Sequence, residues 1–427
     1  MKSRNYICIS LFFCSSLMRL GYLQAQDTLQ TITLDECYQL AEQNYPLVRQ
    51  YDLNQKSAEY SLSNAKKGRL PQLQIAGQAS YQSDVTQIPI SLPQLNIPTL
   101  NKDQYRLYAE ISQSLTDIWT RQTPDLMINA NTAIENQKTK VNLYQVRARL
   151  DQLYFGILLI DAQLAQVRIL TKDIHSGIAK DSVAIANGVA LKSSADELQA
   201  ALLSARQQEI TLTSIRSGYT EMLSYFIGKP VGNKTMLKTP EIIPPGMENH
   251  RPELKLFALQ ENALEVQRRL IHDKNLPRIS LFLQGGIGKP GLNMLDDDLS
   301  PYYIGGLRLQ WNLSNLYTRK NENQQLNLNK QQIAVQQDVF LFNTNLQLRQ
   351  QNQEIVKFDE LISTDLKIID LREKIRLTAQ HQLENGTTTS HDYLSYVYDI
   401  DKSRQDLALH QLQKLIALYK IKNTLGN

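Results

Sequence analysis

Cysteine is almost missing from this chain: Cys8, Cys14 and Cys37 are the whole complement. The first two fall in an N-terminal stretch that reads as a removable leader, so the mature chain cannot form an internal disulfide. Cys37 then reads as a small buried helix residue. Metal-ligand spacing is also missing, because His175, His250, His272, His381, His391 and His410 are scattered; no metal site and no cofactor are expected. Gly285-Gly286-Ile287-Gly288-Lys289-Pro290 fails as a phosphate loop, since Pro290 stands where Ser or Thr is needed and Leu283 where the first Gly should be. It reads as a strand end and outer loop. With no nucleophile elbow and no nucleotide-binding motif, the chain is not expected to be an enzyme. Aromatic content is low at 7%, against 42% hydrophobic residues.

Long apolar runs are absent too. The stretch from Tyr6 to Leu17 is too short to span a bilayer, which needs about 20 apolar residues, and no later run of consecutive apolar residues reaches that length. Preceded by Met1-Lys2-Ser3-Arg4 and followed by Leu23 and Ala25, it has the layout of a secretory signal peptide over residues 1–25. Lipidation at Cys14 is the alternative, but Phe12 and Phe13 stand where small residues normally precede a lipidated cysteine. Cleavage removes Lys2, Arg4 and Arg19 from the 46 basic residues and none of the 42 acids. The mature chain is therefore close to neutral, which argues against nucleic acid as a partner.

What is present is a unit written twice. Leu70-Pro71 returns as Leu276-Pro277 and Pro46 as Pro252, a shift of 206. Ser114-Leu115-Thr116-Asp117-Ile118-Trp119-Thr120-Arg121 returns as Asn312-Leu313-Ser314-Asn315-Leu316-Tyr317-Thr318-Arg319, a shift of 198 that also carries Asn187-Gly188 onto Asn385-Gly386. The offset changes between two strands, where a loop tolerates insertion. Such a repeat is far longer than solenoid periods, so it is a duplicated domain-sized unit. The expected organisation is a first helix-strand-strand-helix repeat over 26–228, a Pro-containing linker over 229–250, and a second repeat over 251–427.

Each repeat switches hydrophobic period. Leu73, Ile75, Gly77, Ala79 and Tyr81 alternate with polar residues, as do Tyr105, Leu107, Ala109, Ile111 and Leu115 against Arg106, Tyr108, Glu110, Ser112 and Ser114. Ile279, Leu281 and Leu283 mark a third strand. Tyr303, Leu307, Leu309, Trp311 and Leu313 mark a fourth. Each is about 10 residues, the length of a tilted membrane strand. Between Trp119 and Asn187 no break appears except Pro124, which a first helical turn tolerates, and this predicts a helix of roughly 100 Å. Along it Leu143, Val146, Leu150, Leu153, Ile157, Ile160, Leu164, Val167 and Ile174 make a coiled-coil seam. Ile355, Phe358, Ile362, Leu366 and Ile369 make a looser one in the second copy. Capping boxes are expected at Thr33 to Glu36 and at Ser194 to Glu197, and a matching helix start at Thr389 to Asp392.

Four amphipathic strands cannot close a barrel, since closure takes about eight, and open edges in a membrane leave backbone groups unpaired. The missing strands must come from further copies: two would supply 8 strands and three would supply 12. The ordered set of Thr33-Leu34-Asp35-Glu36, Asn44-Tyr45-Pro46, the Leu-Pro before each first strand, the Ser-Leu-Thr-Asp and Asn-Leu-Ser-Asn strand ends, and Gly188-Val189-Ala190 followed by Asp196 resembles the TolC family of outer-membrane efflux proteins. The resemblance implies a mainly α fold with β: a long α-helical coiled-coil barrel continued by a transmembrane β-barrel, four strands per chain, closed only in a homotrimer. It implies placement in outer-membrane lipid with the helical part in the periplasm, and docking to a periplasmic adaptor protein and an inner-membrane pump. It further implies a tunnel-entrance constriction at Asp196 and Asp392, with Ser395 where some relatives carry a second acid, and adaptor-facing tip turns at Asn187, Gly188, Asn385 and Gly386. An acid in a helix's first turn is also favoured by the macrodipole alone, so the two aspartates have a capping alternative. A protein-export duct of a type I secretion system, or a periplasmic coiled-coil scaffold, would share much of this pattern.

Overall fold

The computed structural model describes residues 31–86, 100–120, 122–188, 191–232, 235–241, 246 and 248–427. The expected leader with Cys14, and Arg121, Pro244 and Pro245, lie outside the described residues. The described residues open with β1 (Thr31–Ile32) and α1 (Leu34–Asn44). Thr33 caps α1 as expected: its hydroxyl accepts the Glu36 N–H at 3.3 Å, while the Glu36 carboxylate accepts the Thr33 N–H at 3.0 Å. After a turn of 3-10 helix at Pro46–Val48 come α2 (Arg49–Lys67), β2 (Gln72–Tyr81), β3 (Asp103–Ser114), a short α3 (Asp117–Thr120), α4 (Gln122–Ala186) and α5 (Lys192–Ile227). The second half follows with β4 (Met236–Leu237), α6 (Pro252–Lys274), β5 (Arg278–Lys289), β6 (Ser300–Gln310), α7 (Asn315–Glu384) and α8 (Ser390–Leu425).

The long helices are rods: α4 has 65 residues and α7 has 70, each about 100 Å at 1.5 Å per residue. They lead from the sheet at one end to tight turns at the other, where α5 and α8, of 36 residues each, return along them. By length and composition α4 also contains a window apolar enough to cross a bilayer. Part of its apolar surface is committed elsewhere. Leu150, Tyr154, Phe155 and Ile157 pack with Cys37 and Tyr38 of α1, Leu223 and Ile227 of α5, and Leu415 and Tyr419 of α8. Burial of Cys37 pushes its thiol up to about 12, so it is a packing residue and not a nucleophile. The Tyr154 hydroxyl donates to the carbonyls of Ile32 and Lys238 at 2.9 and 2.6 Å. It thereby ties α4 to the parallel pair that β1 makes with β4. That pairing, inside the segment expected to be irregular, is too short to leave a hydrophobic period. Asp151, taken up by the Tyr38 hydroxyl and the Asn423 amide, is pushed up to about 6 by burial.

Two expectations about the helices need correction. The second-copy seam does not run through Leu366, which is 53% exposed. Toward α8, α7 presents Phe358, Asp365, Arg372 and Ala379, a step of seven. Two of these are polar and satisfied there: His410 Nδ1 lies 2.6 Å from an Asp365 oxygen, and Arg372 donates to Ser403 Oγ at 2.8 Å. An apolar filter passes over such knobs. The second correction is that α5 starts at Lys192, with Leu191 as an extended cap residue and no side-chain cap. Ser194 is already inside the helix, because first-turn N–H groups at an exposed helix end are satisfied by water without a capping side chain.

Candidate functional site

The sheet is antiparallel with strand order β2-β3-β5-β6, so β3 and β5 join the two halves and β2 and β6 are left as open edges. The register places Leu73 opposite Ile111, Ile111 opposite Leu283, and Leu281 opposite Leu307. The expected apolar positions that fall within the strands therefore lie on one face, Leu115 lying just past the end of β3. β6 ends at Gln310, so Trp311 and Leu313 lie just past the strand they were read into. The apolar face is the open one: Leu73 is 72% exposed and Leu307 68%. The polar face is the more covered, with Tyr108, Glu110, Phe282 and Gln284 each half-buried. A sheet in water arranges itself the other way round. Greater cover on the polar side is what the concave side of a curved sheet has. Aromatic residues flank the apolar band, with Tyr81, Tyr105 and Tyr303 toward the loop end and both tryptophans, Trp119 and Trp311, exposed at the helical end. Strands of 10 to 12 residues tilted by roughly 40° cover about 25 Å, the height of an outer-membrane apolar band with aromatic girdles.

On the concave face Arg308 grips Glu110 with both guanidinium arms, at 2.8 and 3.1 Å. The guanidinium lies 4.4 Å from the Phe282 ring centroid and so reaches from β6 across β5 to β3. This pair was not anticipated. The one signal for it was the repeat offset of 198, which superposes Glu110 and Arg308 as opposite charges at one repeat position.

At the other end the chain turns at Asn187-Gly188 and Asn385-Gly386. Gly188 and Gly386 have φ of +70° and +68°, the left-handed conformation that ends a helix at little cost only with glycine. A Cβ added at either would meet nothing within 4 Å, so both turns protrude. Asp392 sits in the first turn of α8, where its N–H donates to Thr389 Oγ1 at 3.2 Å and its carboxylate accepts that hydroxyl at 2.7 Å. Asp196 and Ser395 are exposed. The two aspartates are not repeat equivalents. α5 and α8 begin 198 residues apart, which pairs Asp392 with Ser194 and Asp196 with Leu394. Leu394 is buried in a tip cluster with Leu170, Ile174, Leu198, Tyr393 and Val397. Lys180 of α4 meets Glu384 of α7 at 2.9 Å and, with Gln380, holds that carboxyl down to about 2. A salt bridge does exist at the tip, between the long helices and not among the acids expected to ring an entrance. Among the described residues no group of three His, Cys, Asp or Glu side chains could hold a metal ion.

The architecture, a four-stranded sheet continued by paired long helices, can be compared with that of known proteins. No family model matches the sequence, and no curated protein matches it. Solved structures do. The outer membrane protein VceC from Vibrio cholerae superposes with a TM-score of 0.62 at 14% identity, covering 92% of this chain and 96% of its own. CusC, described for transmembrane channel formation, gives 0.64 at 14% identity over 91% of each chain. The open state of the Neisseria gonorrhoeae MtrE outer membrane channel gives 0.60 at 13% identity, over 92% of this chain and 89% of its own. The chain shares their fold over about 92% of its length, in keeping with the mainly α fold with four strands per chain that the TolC-family resemblance implies.

Proposed function

We propose that the protein is one protomer of a passive outer-membrane channel-tunnel, a homotrimer that completes a tripartite efflux pump and carries small molecules or metal ions outward on energy supplied elsewhere. The observation that carries this reading is the inverted sheet: apolar face open to the surroundings, polar face the more covered, both edges free, continued by helices about 100 Å long. Three copies give a 12-stranded barrel with no free edge. Exposed Leu328, Val335, Val339, Phe342 and Leu346 step along α7 at helical spacing, a stripe suited to a neighbouring copy of the chain. A periplasmic coiled-coil scaffold would have no use for the apolar, aromatic-edged sheet face.

In this reading the protruding turns at Asn187, Gly188, Asn385 and Gly386 face a periplasmic adaptor protein, beyond which stands an inner-membrane pump. Asp196, Asp392 and Ser395 line the tunnel entrance. As the fifth residue of α5 and the third of α8, the two aspartates form rings about 3 Å apart along the helix axis. Replacing both by alanine is expected to raise single-channel conductance or lower cation preference in planar bilayers. Native conductance and selectivity in the double variant would reduce both residues to helix-start acids.

A further inference from the structure

The concave face of the sheet is unbalanced in charge. Its register positions carry three arginines, Arg106, Arg278 and Arg308, and one acid, Glu110. Glu110 is fully engaged by Arg308, both of its oxygens accepting from the guanidinium. Arg106 and Arg278 have no carboxylate partner among the described residues. Arg106 extends across Gly288, where an added Cβ would lie 3.6 Å from the Arg106 Cγ. Arg278 pairs with Gln310, one step along the face from the Ser280–Arg308 pair, so it reinforces the positive charge at the helical end. Of the acids at the opposite end, Asp84, Asp296 and Asp298 belong to the loops, Asp103 pairs with Tyr81 in the register of the apolar face, and Asp297 is held by Lys289 and Asn101. Facing bulk water, their field is screened within about 8 Å. Arginines on the inside of a narrow barrel work between low-dielectric walls that focus their field on the lumen.

We propose that the barrel section of the conduit prefers anionic solutes, and that Arg106 and Arg278 set that preference. The inference rests on the channel reading: in a trimer the two positions supply six uncompensated positive charges around one lumen. Glu110 works against them by neutralising Arg308, so its removal acts in the opposite sense.

The test is the reversal potential of purified protein in planar bilayers under a KCl gradient, with chloride and then an organic carboxylate as the anion. The tip acids are common to every protein compared, so differences between variants report the barrel. In R106Q/R278Q the anion-to-cation permeability ratio is expected to fall by about twofold or more, and in E110Q to rise. Unchanged ratios in both variants, with conductance preserved, overturn this inference and leave the channel reading standing. No conductance from the native protein overturns both.

Discussion

Leu283→Arg is expected to abolish stable assembly in the outer membrane, whereas Gln284→Arg, one residue further on, is expected to leave it intact. The two positions are adjacent in β5 and on opposite faces. Leu283 lies mid-strand between Ile111 of β3 and Gly305 of β6, on the open apolar face at 53% exposure. An arginine facing hydrocarbon at mid-depth costs about 2–4 kcal/mol in each chain, and a trimer carries it three times. Gln284 lies on the concave face beside Glu110 and Tyr302, where a further charge meets water in the lumen. The readout is the heat-modifiable oligomer band in isolated outer membranes: lost for Leu283→Arg, retained for Gln284→Arg. Equal behaviour of the two variants would mean that the apolar face does not meet lipid.

Gly286→Ala is expected to be the most damaging single-methyl change in the sheet, and Gly285→Ala, next to it, nearly silent. At Gly286 an added Cβ falls against the Leu107 carbonyl oxygen and 2.6 Å from Tyr108 Cβ. Neither is the movable end of a side chain, so the β3–β5 ladder must open to make room. Within the four-stranded sheet that ladder alone joins the β2–β3 hairpin to the β5–β6 hairpin, and opening it leaves the two hairpins separate. Overpacking of this kind costs about 1–3 kcal/mol before any hydrogen bonds are lost. At Gly285 the added Cβ meets the Tyr302 carbonyl oxygen at 3.9 Å, an ordinary contact. Thermal dissociation of the detergent-extracted oligomer separates the two: a lower midpoint for Gly286→Ala, the native midpoint for Gly285→Ala.

The parts of the molecule that were legible in the sequence are those where one physical signal decided the outcome. Strict alternation placed Leu73 to Tyr81 and Tyr105 to Ile111 on one face. An apolar seam from Leu143 to Ile174, broken only at Thr171, placed α4. Asn-Gly marked both tip turns, since few other residues accept a positive φ. The failures came where two signals competed. A capping-box pattern at Ser194 suggested a later start for α5 than the repeat offset, and the offset was the better guide. Because the offset holds across the tip, Asp196 and Asp392 stand two residues out of step in their helices. In α7 the true seam passes through Asp365 and Arg372, whose partners His410 and Ser403 lie far away in sequence and leave no periodic trace. The Glu110–Arg308 pair is of the same kind, with one difference: the duplication itself placed its two members in register.

The central claim is that strands from several copies close one barrel whose wall continues as a helical tunnel. Electron microscopy of particles extracted from outer membranes in detergent tests it most directly. The account predicts a hollow cylinder with threefold symmetry, its helical section about 100 Å long. A monomer that stays soluble without detergent would contradict it.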